Sequence, residues 1–92
     1  MEFIVGENRI YYEDDNGEEI AVITYQDVSD DVVDANHTFV DPSLRGQGVA
    51  EQLVDALVEK MEKEGKKIEP GCPYVEKLFE RKPDKYGHIA AN

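Results

Sequence analysis

An apolar strand ends at a proline turn and passes straight into an arginine, two glycines and a long helix. The residues at positions 40–50 are Val-Asp-Pro-Ser-Leu-Arg-Gly-Gln-Gly-Val-Ala. A helix N-terminus carries unpaired backbone N–H groups and about half a positive charge. Because glycine has no Cβ, an anion can approach that backbone closely. The segment therefore predicts a phosphate-binding loop, the alternative being an ordinary glycine turn before a helix.

The spacing distinguishes between kinds of phosphate-binding loop. A Walker loop needs Gly-x-x-x-x-Gly-Lys-Ser/Thr, and no lysine follows Gly48. A dinucleotide-binding fingerprint needs Gly-x-Gly-x-x-Gly, and its third glycine position is filled by Glu51. The pattern that does fit is Arg/Gln-x-x-Gly-x-Gly/Ala, with Arg45, Gly48 and Ala50 at its defined positions.

Short β-branched segments predict five strands, at residues 3–5, 9–13, 19–25, 32–40 and 66–69. Asn16 and Gly17 form the pair that is typical of a tight hairpin turn, and the acidic residues 27–31 predict a loop. Period-two alternation in the fourth strand predicts one face that carries Val33, Ala35, His37 and Phe39.

Two helices are predicted after the fourth strand. Apolar residues at three- and four-residue steps indicate a long helix over residues 46–64, with a stripe of Ala50, Leu53, Val54, Leu57, Val58 and Met61. Pro73 is typical of the first turn of a final helix over residues 73–81. Because the fourth and fifth strands flank a helix, we expect them to be parallel with a right-handed crossover. The fold class is thus predicted to be α+β.

The pattern at Arg45, Gly48 and Ala50 resembles the acetyl-CoA-binding signature of the GNAT acetyltransferase superfamily. The segments 36–42 and 67–75 on either side narrow the resemblance to a compact subfamily of small acetyltransferase-like proteins. The resemblance implies a minimal GNAT fold: a mixed, mainly antiparallel sheet with a splayed parallel strand pair, one long CoA-binding helix and a shorter C-terminal helix. It also implies acetyl-CoA as cofactor and an amine, in a small molecule or a protein, as acceptor.

The resemblance assigns two sets of cofactor-binding residues. The loop and helix start would hold the pyrophosphate through Arg45, Gly46, Gln47, Gly48, Val49 and Ala50. The backbone of Thr38 and Val40 would meet the thioester carbonyl and the pantetheine amides, since a splayed strand edge has unpaired N–H and C=O groups. The alternative is that Thr38 and Val40 pair within a regular sheet.

Cys72 is the first candidate catalytic residue, because it lies between the fifth strand and the last helix. A thiolate near a helix N-terminus is favoured and nucleophilic, so Cys72 can accept the acetyl group before passing it on. It can instead lend a proton to the departing CoA, or serve as a small buried residue in a proline-rich turn. The tyrosine that many GNAT enzymes use as general acid would fall at or beside Leu78 and Phe79, and neither can donate a proton.

His37 is the second candidate, because a histidine one residue before the pantetheine-pairing backbone can deprotonate an amine. The alternative is a hydrogen-bonded structural residue. His88 is expected in a mobile tail over residues 86–92. Two histidines and one cysteine in separate segments have no metal-site spacing, so no metal is predicted.

Length and composition indicate the number of domains and the cellular compartment. Ninety-two residues allow one domain over residues 1–92, with a small core, since such a chain buries only about 60–65% of its unfolded surface. No run approaches 18 apolar residues and residues 1–6 lack a basic signal-peptide start, so no membrane contact is expected. Cys72 is the one cysteine, which suits a reducing compartment. The features together predict a cytoplasmic protein, either a monomer or a weak dimer.

The net charge of −11 is unevenly distributed along the chain. Residues 1–44 hold twelve carboxylates against Arg9 alone, whereas residues 45–92 hold nine acidic and nine basic residues. Nucleic acid is excluded as a partner by the missing basic footprint. The acidic half can steer a cationic acceptor, or it is a solubility face or an adaptation to high salt.

The leading hypothesis is an acetyl-CoA-dependent N-acyltransferase that acts through Cys72 on an unidentified amine. The alternative is a non-catalytic acyl-CoA-binding module that regulates a partner. A third possibility is an interaction domain in which the loop at residues 45–50 is only structural.

Overall fold

Five strands and four helical segments account for most of the computed structural model, which describes residues 2–91. The strands β1–β5 span Ile4–Gly6, Arg9–Glu13, Glu19–Ser29, Val32–Val40 and Lys67–Glu69. A short 3₁₀ turn, Pro42–Leu44, precedes the α-helices α1–α3, which span Val49–Glu64, Pro73–Arg81 and Pro83–Tyr86. The predicted strands and the two longer helices are confirmed, with differences in bounds that have identifiable causes.

The strands form a single sheet in the order β1-β2-β3-β4-β5. Neighbouring strands are antiparallel from β1 to β4, and β4 pairs with β5 in parallel. Helix α1 supplies the crossover and packs on one face of the sheet, where its buried side chains meet Ile10, Ile23 and Val33. The α+β class and the parallel pair around a crossover helix are confirmed.

The β3–β4 hairpin is longer than the sequence pattern indicates. We expected a loop over residues 27–31, but β3 continues to Ser29, which pairs with Val32. Backbone pairing with β4 overrides the low strand propensity of the aspartates. The β2–β3 turn at Gly17 (φ 80°) is confirmed.

A bulge at Asn36 divides β4 into two halves. Thr24 pairs with His37, whereas the next residue, Tyr25, pairs with Ala35, so Asn36 is the extra residue. The extra residue reverses the alternation, and Thr38 and Val40 rather than His37 and Phe39 share the α1 side with Val33 and Ala35. The prediction of one face for Val33, Ala35, His37 and Phe39 is therefore wrong. Val33 and Ala35 are buried, and Phe39 is 43% exposed on the opposite, open face.

Helix α1 begins three residues later than predicted. Gly46 (φ 83°) and Gly48 (φ 71°) have left-handed backbone conformations, and Gly48 is the N-cap. Left-handed residues cannot continue a right-handed helix. The expected stripe is otherwise buried, except that Val49 replaces Ala50 in the core.

The C-terminal segment is ordered, so the expectation of a mobile tail is wrong for residues 86–91; Asn92 lies outside the described residues. Pro83 begins α3 instead of ending the structure. Tyr86 and Ile89 are buried in the core. Backbone bonds from the Ile68 N–H to the Ile89 carbonyl and from the Ala91 N–H to the Ile68 carbonyl, each 2.8 Å, cover the outer edge of β5.

The variant Ile89→Ala tests how much the packing of the C-terminal segment contributes to the stability of the fold. Ile89 is 3% exposed, so its truncation is expected to lower the free energy of unfolding by about 2–4 kcal/mol. Chemical denaturation provides the measurement. Val28→Ala is the matched control, because Val28 is 54% exposed and should cost less than about 0.5 kcal/mol. Equal stabilities for the two variants would show that the segment does not pack in solution.

Candidate functional site

Strands β4 and β5 separate after only three paired residues. Their register ends with Asp34 opposite Glu69. One further backbone hydrogen bond joins β4 to the chain that follows β5, from the Cys72 N–H to the Ala35 carbonyl at 2.7 Å. Beyond that bond β5 has ended and the chain turns into α2. A gap therefore opens beside the second half of β4.

The backbone of Thr38 and Val40 faces this gap. Consecutive residues of a strand direct their peptide groups to opposite edges. The Asp41 N–H donates to the Ile20 carbonyl at 2.8 Å, on the β3 side. Val40 and Thr38 consequently point their N–H and C=O groups the other way, where no β5 residue pairs with them. An edge of this kind can pair with an extended ligand that carries amides.

The turn that follows β4 is held by local bonds. The Asp41 carboxylate accepts a bond from the Ser43 N–H at 2.9 Å and caps the 3₁₀ turn. Bonds from Ser43 hold the pKa of the Asp41 carboxyl below its usual value. The Arg45 N–H donates to the Pro42 carbonyl at 3.2 Å. These bonds direct the chain into the two left-handed glycines.

Backbone amides without a hydrogen-bond acceptor in the described part of the chain, here called bare amides, line the start of α1. The first helical bond runs from the Gln52 N–H to the Gly48 carbonyl at 3.0 Å, and Gly48 makes no side-chain cap. The backbone N–H groups of residues 46–51 donate to no acceptor within residues 2–91. The positive end of the helix and the Arg45 side chain lie at the same place. The site therefore fits a diphosphate, as unpaired amides and a helix dipole stabilise anions.

The loop and the gap open into one cavity of about 340 Å³. It is lined by Thr38, Val40, Leu44, Arg45, Gly46, Gly48, Val49, Ala50 and Tyr74. Seven of the eight residues predicted to bind cofactor are in this lining, and Gln47 is not. The structure thus joins the predicted strand edge and the predicted phosphate loop.

Leu44 and Tyr74 line the cavity without having been predicted from the sequence, and of the two only Tyr74 has an ionisable side chain. It stands in the first turn of α2, not near Leu78 and Phe79. Burial and then the negative charge of Glu51 raise the pKa of the Tyr74 hydroxyl, which keeps it protonated as a possible donor. The sequence feature that could have indicated Tyr74 is its position two residues after Cys72, the first candidate catalytic residue.

Cys72 does not line the cavity, but its side chain contacts Thr38, which does. Cys72 is the N-cap residue of α2 and is 6% exposed. Its Sγ donates to the Thr38 Oγ1 at 3.6 Å, and Thr38 also presents its backbone to the gap. The thiol is therefore near the part of the gap where an acyl group would meet the strand edge.

The two histidines lie away from the cavity. His37 is on the open face of the sheet, opposite the α1 side, so it can reach only a molecule that enters the gap from that face. His88 Nε2 lies 2.5 Å from the Glu62 carboxylate, at the other end of α1. Within residues 2–91, no group of three His, Cys, Asp or Glu side chains lies close enough to hold a metal ion.

A charged cluster fastens α3 to the first turn of α1. The Glu51 carboxylate accepts bonds from the Lys82 and Lys85 ammonium groups, both at 2.8 Å. Asp55, one turn later, accepts from the Tyr86 hydroxyl at 2.6 Å and from Lys85 at 3.2 Å. The bonds from Lys82 and Lys85 lower the pKa of Glu51 from 4.5 to about 2.

This pKa shift predicts a pH dependence of stability. Because the folded state favours the charged carboxylate, the stabilisation is complete above pH 4.5 and is lost as the pH falls toward 2. Glu51→Gln should unfold more easily than wild type at neutral pH by about 1 kcal/mol, a small value because the side chain is 26% exposed. The difference should vanish near pH 2 in denaturation experiments. A difference independent of pH would contradict the ion pairing.

Within the described part of the chain, no helix has both the length and the apolar character needed to span a bilayer.

The family model described as GCN5-related N-acetyl-transferase matches residues 9–89. Protein NATD1 of Gallus gallus and of Mus musculus are each 33% identical over 63 residues, which is 68% of this chain and 57% of the relative. The chain thus spans somewhat more than half the length of these curated relatives.

Solved structures agree on the fold. A GCN5-like protein of Staphylococcus aureus, determined by NMR, superposes with a TM-score of 0.82 at 33% identity over 99% of this chain and 88% of that one. The ribosomal-protein-alanine N-acetyltransferase of Brucella melitensis superposes with a TM-score of 0.66 at 23% identity over 91% and 62% of the two chains. Family model, sheet topology and site geometry converge: this chain belongs to the GCN5-related N-acetyltransferase (GNAT) family.

Proposed function

We propose that this protein transfers an acetyl group from acetyl-CoA to an amine, with Cys72 as the intermediate carrier. The observation that carries the proposal is the single cavity that joins the bare amides of α1 to the free edge of β4. The first feature suits the pyrophosphate and the second suits the pantetheine amides. The family membership supports acetyl-CoA as the acyl donor.

The transfer proceeds in two steps. The Cys72 sulfur attacks the acetyl carbonyl carbon as a thiolate, a new C–S bond forms, and the C–S bond to CoA breaks. The acceptor nitrogen then attacks the acetylated Cys72, the C–N bond forms, and the sulfur leaves as a thiolate. Over the cycle the amine gives up one proton and the departing CoA sulfur takes up one, so the products are an amide and the CoA thiol, and atoms and charges balance.

Two side chains assist these steps. Tyr74 donates a proton to the departing CoA sulfur, for which its position in the lining and its protonated hydroxyl suit it. Thr38 Oγ1 orients the Cys72 sulfur through the 3.6 Å contact. His37 serves as the base only for an acceptor that arrives from the open face of the sheet.

A second candidate is the non-catalytic acyl-CoA-binding module. The observation in its favour is the burial of Cys72, a residue that is 6% exposed and whose thiol is already bonded to Thr38. In either case the protein is expected to work in a reducing compartment such as the cytoplasm, where Cys72 stays a free thiol.

Binding and turnover separate the candidates. Acetyl-CoA at about 100 times its dissociation constant should add about 2.7 kcal/mol to the free energy of unfolding. An amine panel that includes a lysine-containing peptide, spermidine and a free peptide N-terminus is then assayed for release of the CoA thiol. Release with an amine supports the transferase, and tight binding without release from any amine supports the module. No stabilisation by acetyl-CoA would contradict both.

A further inference from the structure

Glu51 is a carboxylate at the entrance that a diphosphate would use. It is the third residue of α1, and its own N–H is among the amides without an internal partner. A negative side chain in the first turn stabilises an isolated helix. Beside a bound diphosphate the same charge is repulsive, unless another group neutralises it.

Two ammonium groups do neutralise Glu51. Lys82 and Lys85 each place Nζ 2.8 Å from the same carboxylate oxygen, Oε2. Lys82 caps α3 and Lys85 lies within it, and α3 is fixed by Tyr86, which is 1% exposed and stacks on Phe79 with ring centroids 5.1 Å apart. The positions of the two lysines are thus fixed by the packing of α3.

The charge of Glu51 is felt inside the cavity. Tyr74 is a lining residue, and after burial the charge of Glu51 is the largest cause that raises the pKa of its hydroxyl. The net charge of the cluster of Glu51, Lys82 and Lys85 therefore contributes to the potential in the cavity, together with nearby charges such as Arg45 and Arg81.

We propose that Lys82 and Lys85 are positioning residues for the coenzyme: by neutralising Glu51, they keep the N-terminus of α1 attractive to the diphosphate. The inference rests on the proposed coenzyme binding. It assigns a function to α3, whose lysines act on the phosphates through Glu51 and not through the acyl-transfer chemistry.

Removal of charges from the cluster provides the test, with CoA affinity measured by calorimetry at about 0.1 M ionic strength, where exposed charges act over about 10 Å. The double variant Lys82→Met, Lys85→Met should bind CoA about three- to tenfold more weakly, and Glu51→Gln about three- to tenfold more tightly, than wild type. Lys63→Met is the matched control, because Lys63 pairs with Glu59 at 3.3 Å elsewhere on α1, and its affinity should be unchanged.

Two further measurements distinguish an electrostatic effect on binding from a loss of folded structure. Pantetheine lacks the diphosphate, so it should bind all variants equally, and Lys82→Arg with Lys85→Arg should restore CoA affinity. Glu51→Gln that binds CoA no more tightly than wild type would overturn the inference, as would an equal loss of pantetheine and CoA affinity in the methionine variant. If wild type does not bind CoA, the proposed function fails instead.

Discussion

Replacing Cys72 with alanine is expected to reduce amine acetylation at least about 100-fold while CoA binding remains within about twofold of wild type. In the proposed mechanism the sulfur of Cys72 carries the acetyl group between donor and amine. Its backbone N–H bond to Ala35 at 2.7 Å is independent of the side chain, so the strand junction is retained. Steady-state thiol release and calorimetry of CoA binding provide the two measurements.

A direct assay of the intermediate accompanies this variant. Wild type incubated with acetyl-CoA and no amine should gain one acetyl group on Cys72, visible by intact-mass spectrometry and removed by hydroxylamine. Cys72→Ser keeps a hydroxyl near Thr38 and should form far less of the adduct, because a hydroxyl is a much weaker nucleophile at neutral pH. Full acetylation activity in Cys72→Ala would show that the amine attacks acetyl-CoA directly.

Gly48→Val is expected to weaken CoA binding by about 100-fold, or roughly 2.7 kcal/mol, through the loss of one or two charge-assisted hydrogen bonds. Gly48 has a φ of 71°, which a β-branched residue avoids. Nothing lies within 4 Å of a Cβ placed there, so the protein has room for the added side chain, which would collide only with a ligand bound at this position. The valine both strains the turn and fills the position over the bare amides.

Gly65→Val is the matched control for this variant. Gly65 caps the other end of α1 with the same φ of 71° and has equally open surroundings. Both variants should lose about 1–2 kcal/mol of stability from backbone strain, and only Gly48→Val should lose CoA affinity. Equal affinities for the two variants would place the pyrophosphate elsewhere.

The local features of this fold were accessible from the sequence. Glycines with positive φ, the proline at the start of α2 and the apolar stripe of α1 depend on neighbours along the chain, so the buried face of α1 and helix α2 were predicted correctly. The bulge at Asn36 was not, because it arises from register with β3 and leaves no local mark. One inserted residue moved His37 to the open face and placed Thr38 toward the cavity.

The remainder of the site depends on tertiary packing. Tyr74 was missed because the family's usual tyrosine position falls at or beside Leu78 and Phe79, yet the turn after β5 carries Tyr74 into the cavity lining. The lysines of α3 were missed because no helix or strand was predicted after residue 81. The order of the C-terminal segment follows from burial of Tyr86 and Ile89, two apolar contacts too widely spaced to form a recognisable pattern.

Backbone amide NMR during titration with CoA tests whether the helix entrance and the strand edge form one coenzyme site. The largest shift changes should fall on residues 46–51 together with Thr38 and Val40, and they should be absent in Gly48→Val. Shift changes confined to other residues, or none at saturating CoA, would contradict the proposal.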